Sequence, residues 1–523
     1  CKETHTKSME PAALPLLWSV LPLIILLFLL VVKIYTSTPA GKRLPPGPWQ
    51  LPLVGSLHHF LLSRHGDLPH RALQELSRKH GPLMLLRFGA VPTLVVSSAE
   101  AAREVLKTHD AAFASRHLTP TLDIFSRGGQ DILFSPYGDL WRQLRRICLL
   151  ELMSARRVLS FRHIREDEVA ALIGYITDEC ARGGGCTVVE IGQLITRTVN
   201  DIVVRSAVGG RCPRRDEFLH VLDRSVKLAG GFNLSDLYPS SALARWLSGA
   251  LRETERCNRK ARAIMDDFIR ERIDGAGESM EDLLGVLLRV QKDGGTQCPL
   301  DLTTDIITTV VQEMFVAGSE TSSTTLEWAM SELVRNPRVL HKAQTEVREA
   351  LHGRSKLVEG DLAGGRLSYL NLVMRETLRL HAPLPFLLPR QCREPCEVMG
   401  YHIPEGTKVL VNAWALGRDG AYWEDAEAFK PERFEESSAA AMDFKGGHFE
   451  YLPFGSGRRM CPGVVLGLAN MELLIASLLY HFDWELPGGG RPEELDMSEA
   501  FGIAVSRKSK LVLHSTQRIP FTN

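Results

Sequence analysis

The sequence lacks a net charge, an internal repeat and a metal-binding cysteine spacing, and each absence narrows the possible functions. Lys plus Arg and Asp plus Glu both number 62 in 523 residues. The overall charge therefore gives no reason to expect a nucleic-acid partner, although a local basic patch stays possible. No repeat of solenoid length is visible. Length alone allows either several domains or one large enzyme core.

The ten cysteines are scattered, and no pair combines zinc-site spacing with a flanking His or a further Cys. We expect free thiols in a reducing compartment. Cys392 and Cys396 are the nearest pair, but two ligands four residues apart do not complete a four-ligand site.

One long uncharged run lies near the N-terminus. Residues 12–32 carry no charge, and as a helix they would reach about 32 Å, the thickness of a bilayer core. We expect a single transmembrane anchor, because the run is longer than the core of a usual signal peptide. Lys33, Lys42 and Arg43 follow it, which places the bulk of the chain on the cytosolic face. Residues 1–11 form a short leading segment, of which residues 1–8 precede the first methionine and are expected to be non-native.

Local patterns divide the remainder into a linker over residues 33–49 and a catalytic domain over residues 50–523. Three of the four residues 45–48 are proline, which predicts a rigid, extended hinge. Two hairpins are predicted, 83–88 with 93–97 and 401–404 with 407–412. The helical patterns cover residues 164–180, 251–273, 301–336, 337–351, 367–380 and 464–480. The fold class is therefore mainly α with small β-sheets.

Residues 454–463 present one cysteine, Cys461, in a glycine-rich loop directly before the apolar helix 464–480. Gly463 lets that helix lie close to a flat partner. A helix N-terminus lowers the pKa of a thiol and favours the thiolate. The loop suits Cys461 as the sole axial protein ligand of a haem iron. The alternative is a buried cysteine acting as a small hydrophobe.

The pattern Phe-x-x-Gly-x-Arg-x-Cys-x-Gly resembles the haem-binding loop of cytochrome P-450 monooxygenases. The resemblance covers essentially the whole chain, and residues 137–142, 412–415 and 480–484 are similar to plant microsomal members of the family 71 group. It implies the P-450 fold, with haem b between an oxygen-binding helix and the cysteine loop. Phe454, Gly457 and Gly463 are then cofactor-binding positions beside Cys461.

Residues 317–322 interrupt a helical pattern with small and hydroxyl side chains. Gly318 costs about 1 kcal/mol relative to alanine, so it needs a reason. The resemblance supplies one: a locally opened helix turn that admits O2, where Thr321 and Glu320 organise proton delivery. The alternative is ordinary bonding of Ser and Thr hydroxyls to the helix backbone.

Two arginine-containing sets are implied to surround the haem. Trp141 and Arg145 lie four apart on one helix face, and with Arg390 and Arg459 they resemble haem-propionate ligands. Glu376 and Arg379 also share a helix face, and the family pattern adds Arg433 to form a buried charge network. We assign this second set a structural role.

Position in the family also gives candidate pocket residues and the implied activity. The candidates are Phe125, Ile132, Thr309, Val310, Glu313, Ala317, Leu384, Phe386, Ile503, Ala504 and Val505. For Glu313, a solvated charge on the helix surface is an equal alternative.

The resemblance implies insertion of one oxygen atom from O2 into a small lipophilic metabolite, with a terpenoid ahead of an aromatic or indolic substrate. No dinucleotide-binding loop is evident, so electrons would come from NADPH through a separate cytochrome P-450 reductase. A non-oxygenase of the same fold, an isomerase or dehydratase, is the alternative. The implied location is the endoplasmic reticulum membrane, in contact with lipid.

Overall fold

The computed structural model describes residues 42–274, 282–292, 302–362, 364–436 and 438–522. The leading segment, the expected anchor at residues 12–32 and most of the linker lie outside these residues. The proline-rich hinge lies inside them: Leu85 N donates to Pro46 O at 2.9 Å. A Cβ on Gly47 would fall 2.3 Å from Leu85 O, so only glycine allows this close approach. The hinge therefore packs against the first strand of the domain.

Helices make up most of the described chain. Pro337 begins a new helix directly after Asn336, as its missing N–H and fixed φ favour. In chain order the helices are α1 (His58–Leu62), α2 (Pro69–His80), α3 (Ala99–Arg103), α4 (Pro120–Ser126), α5 (Asp139–Ile147), α6 (Ala155–Ser160), α7 (Arg162–Arg182), α8 (Ile191–Val208), α9 (Arg215–Leu228), α10 (Leu234–Leu237), α11 (Ala242–Leu247), α12 (Gly249–Asp274), α13 (Leu283–Lys292), α14 (Thr304–Arg335), α15 (Pro337–Ala350), α16 (Glu359–Leu362), α17 (Ser368–Leu380), α18 (Ala413–Leu416), α19 (Arg433–Glu436) and α20 (Val464–His481).

The strands are short and form four small sheets. The largest sheet has the order β1-β2-β8-β5-β3, a second has β4-β12-β9, and two hairpins are β6-β7 and β10-β11. The strands are β1 (Leu83–Phe88), β2 (Val91–Val96), β3 (Ser115–Arg116), β4 (Cys186–Glu190), β5 (Arg390–Gln391), β6 (Cys396–Val398), β7 (Tyr401–Ile403), β8 (Lys408–Val411), β9 (Phe482–Glu485), β10 (Glu499–Phe501), β11 (Val505–Arg507) and β12 (Val512–Gln517).

The first predicted hairpin is confirmed, and the second is wrong. β1 and β2 pair antiparallel, as expected. β7 pairs with β6, whereas β8 pairs with β5 and runs parallel to β2 in another sheet. Every residue of β8 is buried, which is typical of a central strand covered on both faces rather than the arm of a surface hairpin. The turn at Gly406 thus connects two sheets.

The long helix α14 passes through the interior and contacts α8 more extensively than any other pair of elements. Of its residues, 306–312 are all buried. Helix α20 is also mostly buried, against α7, α14 and α15. Within the described residues, α20 is the one helix long and apolar enough to span a membrane, and its burial inside the protein is that of a core helix. These two helices bring the candidate oxygen-binding segment and the cysteine loop together.

Candidate active site

The cysteine loop closes on itself before α20 begins. Cys461 N donates to Phe454 O at 3.0 Å, and the Phe454 ring packs edge-on against Phe444 at 5.3 Å. The Cys461 thiol lies among protein atoms, and the residue keeps an accessible surface. A Cβ on Gly463 would have the Cys461 Sγ as its nearest neighbour, 4.0 Å away. Gly463 therefore keeps the space beside the thiol open, as a flat ligand there requires.

The protonation of this thiol differs from the expectation. Burial raises the pKa of Cys461, and the Gly463 backbone N–H and the Arg145 charge offset only part of that effect. The Gly463 N–H, at the start of α20, does lower the pKa as expected, but desolvation has the larger effect and the net shift is upward. Metal coordination deprotonates a thiol outright, so an iron ligand would supply the missing stabilisation.

Gly457 has a packing role in the same loop. It adopts φ +69°, and an added Cβ would lie 2.4 Å from Leu106 O. The Asp110 carboxylate, also in contact there, accepts from the Arg458 backbone N at 3.0 Å and from its guanidinium at 2.9 Å. Gly457 thus fits the loop against the turn that follows α3.

The predicted propionate ligands lie beside this loop. Their guanidinium groups donate hydrogen bonds mostly to backbone carbonyls. Arg145 donates to Met460 O at 2.6 Å, and Arg459 donates to Ala114 O at 2.7 Å. Arg390 donates to Asp110 at 2.9 Å and to Ser456 O at 2.7 Å. The Arg459 guanidinium lies 4.3 Å from the centre of the Trp141 ring. Trp141 and Arg145 lie on α5, Arg390 lies on β5 and Arg459 lies in the cysteine loop, so three separate parts of the chain converge here.

A fifth member of this group, Arg116 on β3, was missed from the sequence. It donates to Leu133 O at 2.9 Å and to Leu388 O at 2.7 Å, and it is buried. Burial lowers its pKa, and so do the charges of Arg459, Arg390 and Arg145. Its position two residues after the apolar run 111–114 was the available signal, since an arginine buried there needs a partner.

The arginine cluster, defined as Arg116, Arg145, Arg390 and Arg459, carries more positive charge than the protein neutralises. Burial, followed by the Arg390 charge, lowers the pKa of Arg459 to about 9. Within the described chain, Arg390 alone of the four forms an ion pair, with Asp110. A ligand with two carboxylates would balance these charges, and guanidinium groups suit such ligands. With Cys461 as the thiolate donor, the residues fit a haem.

The segment opposite the cysteine loop belongs to α14. Thr321 Oγ1 donates to Ala317 O at 2.8 Å, and the helix is continuous from Thr304 to Arg335. The expected opening of the helix turn is therefore absent from this segment. A Cβ on Gly318 would lie 3.2 Å from both methyl groups of Val203 on α8, so Gly318 serves close helix packing. A Cβ on Gly467 of α20 would lie 3.8 Å from Ser322 Oγ, so the two motifs are neighbours.

Glu320 is a buried acid on the α9 side of the helix. Burial raises its pKa to about 7, with a further rise from Asp223 and a partial offset from a hydrogen bond with Thr324. Thr324 Oγ1 lies 3.5 Å from Glu320 Oε1. A carboxyl with a pKa near neutrality can both hold and release a proton at working pH.

The predicted charge network is fully buried and closely bonded. Arg379 makes two bonds of 2.7 Å to the Glu376 carboxylate, and Arg433 Nε donates to the same carboxylate at 2.9 Å. Lys430 N is a fourth donor to Glu376, at 2.8 Å. The remaining arginine N–H groups reach backbone carbonyls, including Ala428 O. This arrangement fixes the loop between α18 and α19 to α17.

Several pocket candidates share one apolar cluster beside α14. Ile132, Val310 and Ala504 belong to it, and Leu384 and Ile503 pack against it. Ala317 and Thr321, one turn apart on α14, are only partly buried in spite of their central position. Ile132, Val310 and Ala504, with Leu384 and Ile503, thus form an apolar wall beside α14.

Glu313 on α14 lies beside this apolar wall and is partly buried. Its carboxyl is close enough to that of the buried Asp131 for the two charges to repel each other. Its carboxylate accepts from Ile132 N at 2.9 Å, so it is not a solvated helix charge. Burial and the nearby Asp131 raise the pKa of Glu313 well above its usual range. Burial raises the pKa of Asp131 to about 7, although the Phe134 and Ser135 N–H groups and the Arg459 charge favour its ionised form.

The remaining candidates lie elsewhere. Phe125 packs against the cluster between α9 and α12. Thr309 donates to Asp305 O at 2.8 Å and accepts from Arg262 of α12, so its hydroxyl is engaged there. Phe386 belongs to the cluster with Leu410 below β1 and β8. Val505 is buried on β11, where its carbonyl accepts from Trp328 Nε1 at 3.1 Å.

Comparison with known proteins agrees with this site. Residues 45–514 match the family model for cytochrome P-450. Dolabradiene monooxygenase of Zea mays is 49% identical over 496 residues, which cover 94% of this chain and 96% of that protein. Cytochrome P-450 71D7 of Solanum chacoense is 46% identical over 495 residues, covering 93% and 96%.

A solved structure shares the fold as well. A zebra fish cytochrome P-450 determined with abiraterone superimposes with a TM-score of 0.70 at 26% identity, covering 86% of this chain and 99% of that one. The family carries a haem iron, for which Cys461 and the arginine cluster are suited. The chain therefore belongs to the cytochrome P-450 family, as a monooxygenase similar to the plant family 71 enzymes.

Proposed function

We propose that this enzyme inserts one oxygen atom of O2 into a small lipophilic terpenoid, using electrons from NADPH delivered by a separate cytochrome P-450 reductase. The observation that carries the proposal is the approach of α20, which directly follows the Cys461 loop, to the Thr321 segment of α14 at Gly467 and Ser322, with an apolar wall beside α14. The terpenoid preference is supported by the similarity to a dolabradiene monooxygenase. Aromatic or indolic compounds are the second candidate class of substrate.

A bound haem would supply the oxygen chemistry, and the chain's own residues would hold it and control protons. Cys461 would bind the haem iron through its thiolate, and the arginine cluster would bind the two carboxylates. Glu320, whose pKa is about 7, and the Thr321 hydroxyl would manage proton delivery on the α14 side. The apolar wall would exclude water from the reacting atoms.

The wall also supports an uncharged substrate. Ile132, Val310 and Ala504 offer no partner for a phosphate or carboxylate. Burial and the nearby Asp131 raise the pKa of Glu313 well above its usual range, which favours the neutral carboxyl over the charged carboxylate. It can therefore offer a hydrogen bond to a substrate hydroxyl or carbonyl without placing a charge in the pocket.

Turnover with purified reductase tests the activity. With NADPH and ¹⁸O₂, a terpene substrate should gain one labelled oxygen atom, and the reaction should stop when either NADPH or the reductase is omitted. Conversion of the substrate in the absence of NADPH and reductase would instead support an isomerase or dehydratase. Terpenes should also produce a high-spin spectral shift that charged phenolic acids do not, and productive binding of an anionic substrate would contradict the proposed pocket.

Thr321→Ala tests the proton route. The variant should keep its haem but divert NADPH consumption to hydrogen peroxide, because the hydroxyl proposed to steer protons is lost. The matched control is Thr325→Ala, one turn further along α14, whose hydroxyl makes the same kind of bond to a backbone carbonyl. Unchanged coupling of NADPH to product in Thr321→Ala would remove this residue from the mechanism.

The surface supports a membrane location. Large apolar side chains stand exposed on two segments that meet where Tyr238 Oη donates to Leu53 O at 2.9 Å. Trp49, Leu53 and Leu62 lie on the first segment, and Leu243 and Trp246 on the second. We propose that this apolar patch rests on the endoplasmic reticulum membrane beside the anchor. After deletion of residues 1–33, the haem-loaded protein should still sediment with phospholipid vesicles, and complete loss of vesicle binding would contradict a role for the patch.

A basic surface near the cysteine loop is suited to the reductase. Arg142 and Arg458, both exposed, lie over the Tyr137 ring at 5.6 Å and 5.9 Å. Arg146 is exposed one turn further along α5. We propose that the reductase docks here. Arg146→Glu should slow NADPH-supported reduction without changing the carbonyl spectrum obtained with dithionite, whereas an unchanged rate would place docking elsewhere.

A further inference from the structure

Two thiols outside the active site are in direct contact. Cys392 Sγ and Cys396 Sγ lie 4.0 Å apart. Among the eight cysteines that the structure describes, no other two have sulfur atoms in contact. The pair lies between β5 and β6, and neither thiol belongs to the site that Cys461 forms.

The two thiols differ in access. Cys392 is buried, and its backbone is fixed on both sides, since its N–H donates to Thr407 O at 2.9 Å and its carbonyl accepts from Gly406 N at 2.8 Å. Its thiol donates to Glu394 O at 3.1 Å. Cys396 begins β6 and is only partly buried. A solvent-reachable thiol therefore stands next to a protected one.

The more accessible thiol, Cys396, also has the lower pKa. The contact with Cys392 lowers the pKa of the Cys396 thiol. The same contact, together with burial, raises the pKa of Cys392. The accessible sulfur is thus the one that more easily becomes a thiolate, which is the nucleophilic form.

We propose that Cys392 and Cys396 form a peroxide-oxidisable pair that closes to an intramolecular disulfide. The Cys396 thiolate attacks one oxygen of hydrogen peroxide, the O–O bond breaks, and hydroxide leaves, which gives a sulfenic acid at Cys396. The Cys392 sulfur then displaces the sulfenic oxygen, which departs as water after taking up the thiol proton. Two electrons pass from the two sulfurs to the peroxide. Peroxide is the product of uncoupled NADPH consumption, so the oxidant arises at the enzyme itself.

Bond formation requires a short movement. The sulfurs must approach by about 2 Å to reach a disulfide length of ~2.05 Å. The Cys392 backbone is held to Thr407 and Gly406, and Cys396 pairs with Ile403, so the approach must come from rotation of the two side chains and adjustment of the connecting residues 393–395. That segment carries Arg393, whose guanidinium lies 5.1 Å from the centre of the Tyr137 ring.

Peptide mapping of the full-length, haem-loaded protein tests the pair. Trypsin cuts after Arg390, Arg393 and Lys408, so the two cysteines fall on separate peptides, 391–393 and 394–408. After brief exposure to added hydrogen peroxide, the two peptides should appear joined, with the mass of two hydrogens missing, and dithiothreitol should separate them. Added peroxide makes the outcome independent of turnover, and therefore of the proposed function.

Variants assign the roles of the two sulfurs. Cys392→Ser should leave a sulfenic acid at Cys396 that dimedone traps, whereas Cys396→Ser should leave residue 392 largely unmodified. Cys186, partly buried and on a different sheet, is the matched control: its thiol should be oxidised without forming a disulfide. If the wild-type peptides stay separate under conditions that oxidise Cys186, the pair is not a peroxide site. Trapping at Cys392 in Cys396→Ser as readily as at Cys396 in Cys392→Ser would overturn the assigned order.

Discussion

The molecule contains two buried groups of arginines, and they differ in what balances them. In the charge network, Arg379 and Arg433 share one carboxylate, Glu376, through direct bonds of 2.7 to 2.9 Å. In the arginine cluster, three of the four guanidinium groups bond only to backbone carbonyls within the described chain, and Arg390 has the one carboxylate partner.

The difference separates a structural site from a binding site. A network closed by its own carboxylate needs nothing further and cross-links the chain. A cluster of buried cations with too few anions remains costly until a ligand supplies the charge. Residue type alone does not distinguish the two sets, since both are read from the sequence as arginines near acidic or aromatic residues. What distinguishes the two sets is the hydrogen-bonding partner of each guanidinium: a carboxylate in the charge network, and mostly backbone carbonyls in the arginine cluster.

The largest effect is expected from breaking the closed network. Glu376→Gln removes the charge that two buried arginines share, so it should lower the free energy of unfolding by about 3–5 kcal/mol. Urea unfolding of the haem-loaded protein, followed by circular dichroism, measures the change. Glu435→Gln, an exposed position of the neighbouring α19, serves as the control and should change little. A loss below about 1 kcal/mol for Glu376→Gln would show that the network does not support the fold.

A smaller and different effect is expected in the arginine cluster. Arg145→Gln removes a cation that the protein does not pair, so the stability of the fold should change little while haem dissociates roughly tenfold faster, equal to about 1.4 kcal/mol. Transfer of haem to a scavenging apoprotein gives the rate. Arg146→Gln alters the exposed neighbour and should leave the rate unchanged. Equal haem retention in both variants would remove Arg145 from the cofactor site.

The smallest change in stability is expected for Asp131, whose carboxyl is close to Arg116 and Arg459 of the arginine cluster. Its folded pKa is about 7, above the ordinary 3.8, so the folded protein holds a proton that the unfolded chain releases. The contribution of Asp131 to stability is therefore full below about pH 4 and is lost as the pH rises through about 7. Asp131→Asn should abolish this loss.

The test of Asp131 compares two pH values. From pH 6 to pH 7, the unfolding free energy of Asp131→Asn relative to wild type should increase by about 1 kcal/mol, because the wild-type carboxyl loses its folded-state proton as the pH approaches its pKa of about 7. Asp139→Asn, at an exposed carboxylate on α5, should show no such change. A difference that stays constant across this range would mean that Asp131 is already ionised in the folded protein.

Features that depend on local pattern could be predicted from the sequence. The long helices α7, α12, α15 and α20 lie within a few residues of the predicted bounds, because periodicity and the position of Pro337 act locally. The second hairpin was wrong because strand pairing depends on distant chain: β8 lies beside β2, more than 300 residues earlier. Sequence pattern alone does not tell a buried central strand from a hairpin arm.

The site shows the same division. The family motif located Cys461, Trp141 and Glu376 by residue number, and these side chains have neighbours consistent with it. Arg116 was missed because β3 is only two residues long and has little pattern of its own. Likewise, the packing of Gly318 against Val203 and the pairing of Glu313 with Asp131 depend on contacts across more than 100 residues of sequence.

The distant origin of the cluster sets the time at which the enzyme can acquire its cofactor. Arg145 bonds to a loop 315 residues later, and Arg390 bonds to a carboxylate 280 residues earlier. No half of the nascent chain contains these contacts, so the ribosome must have synthesised nearly the whole polypeptide before the cofactor finds its ligands. Haem capture is thus a late step of biogenesis, and cells short of haem would accumulate full-length apoprotein rather than arrested fragments.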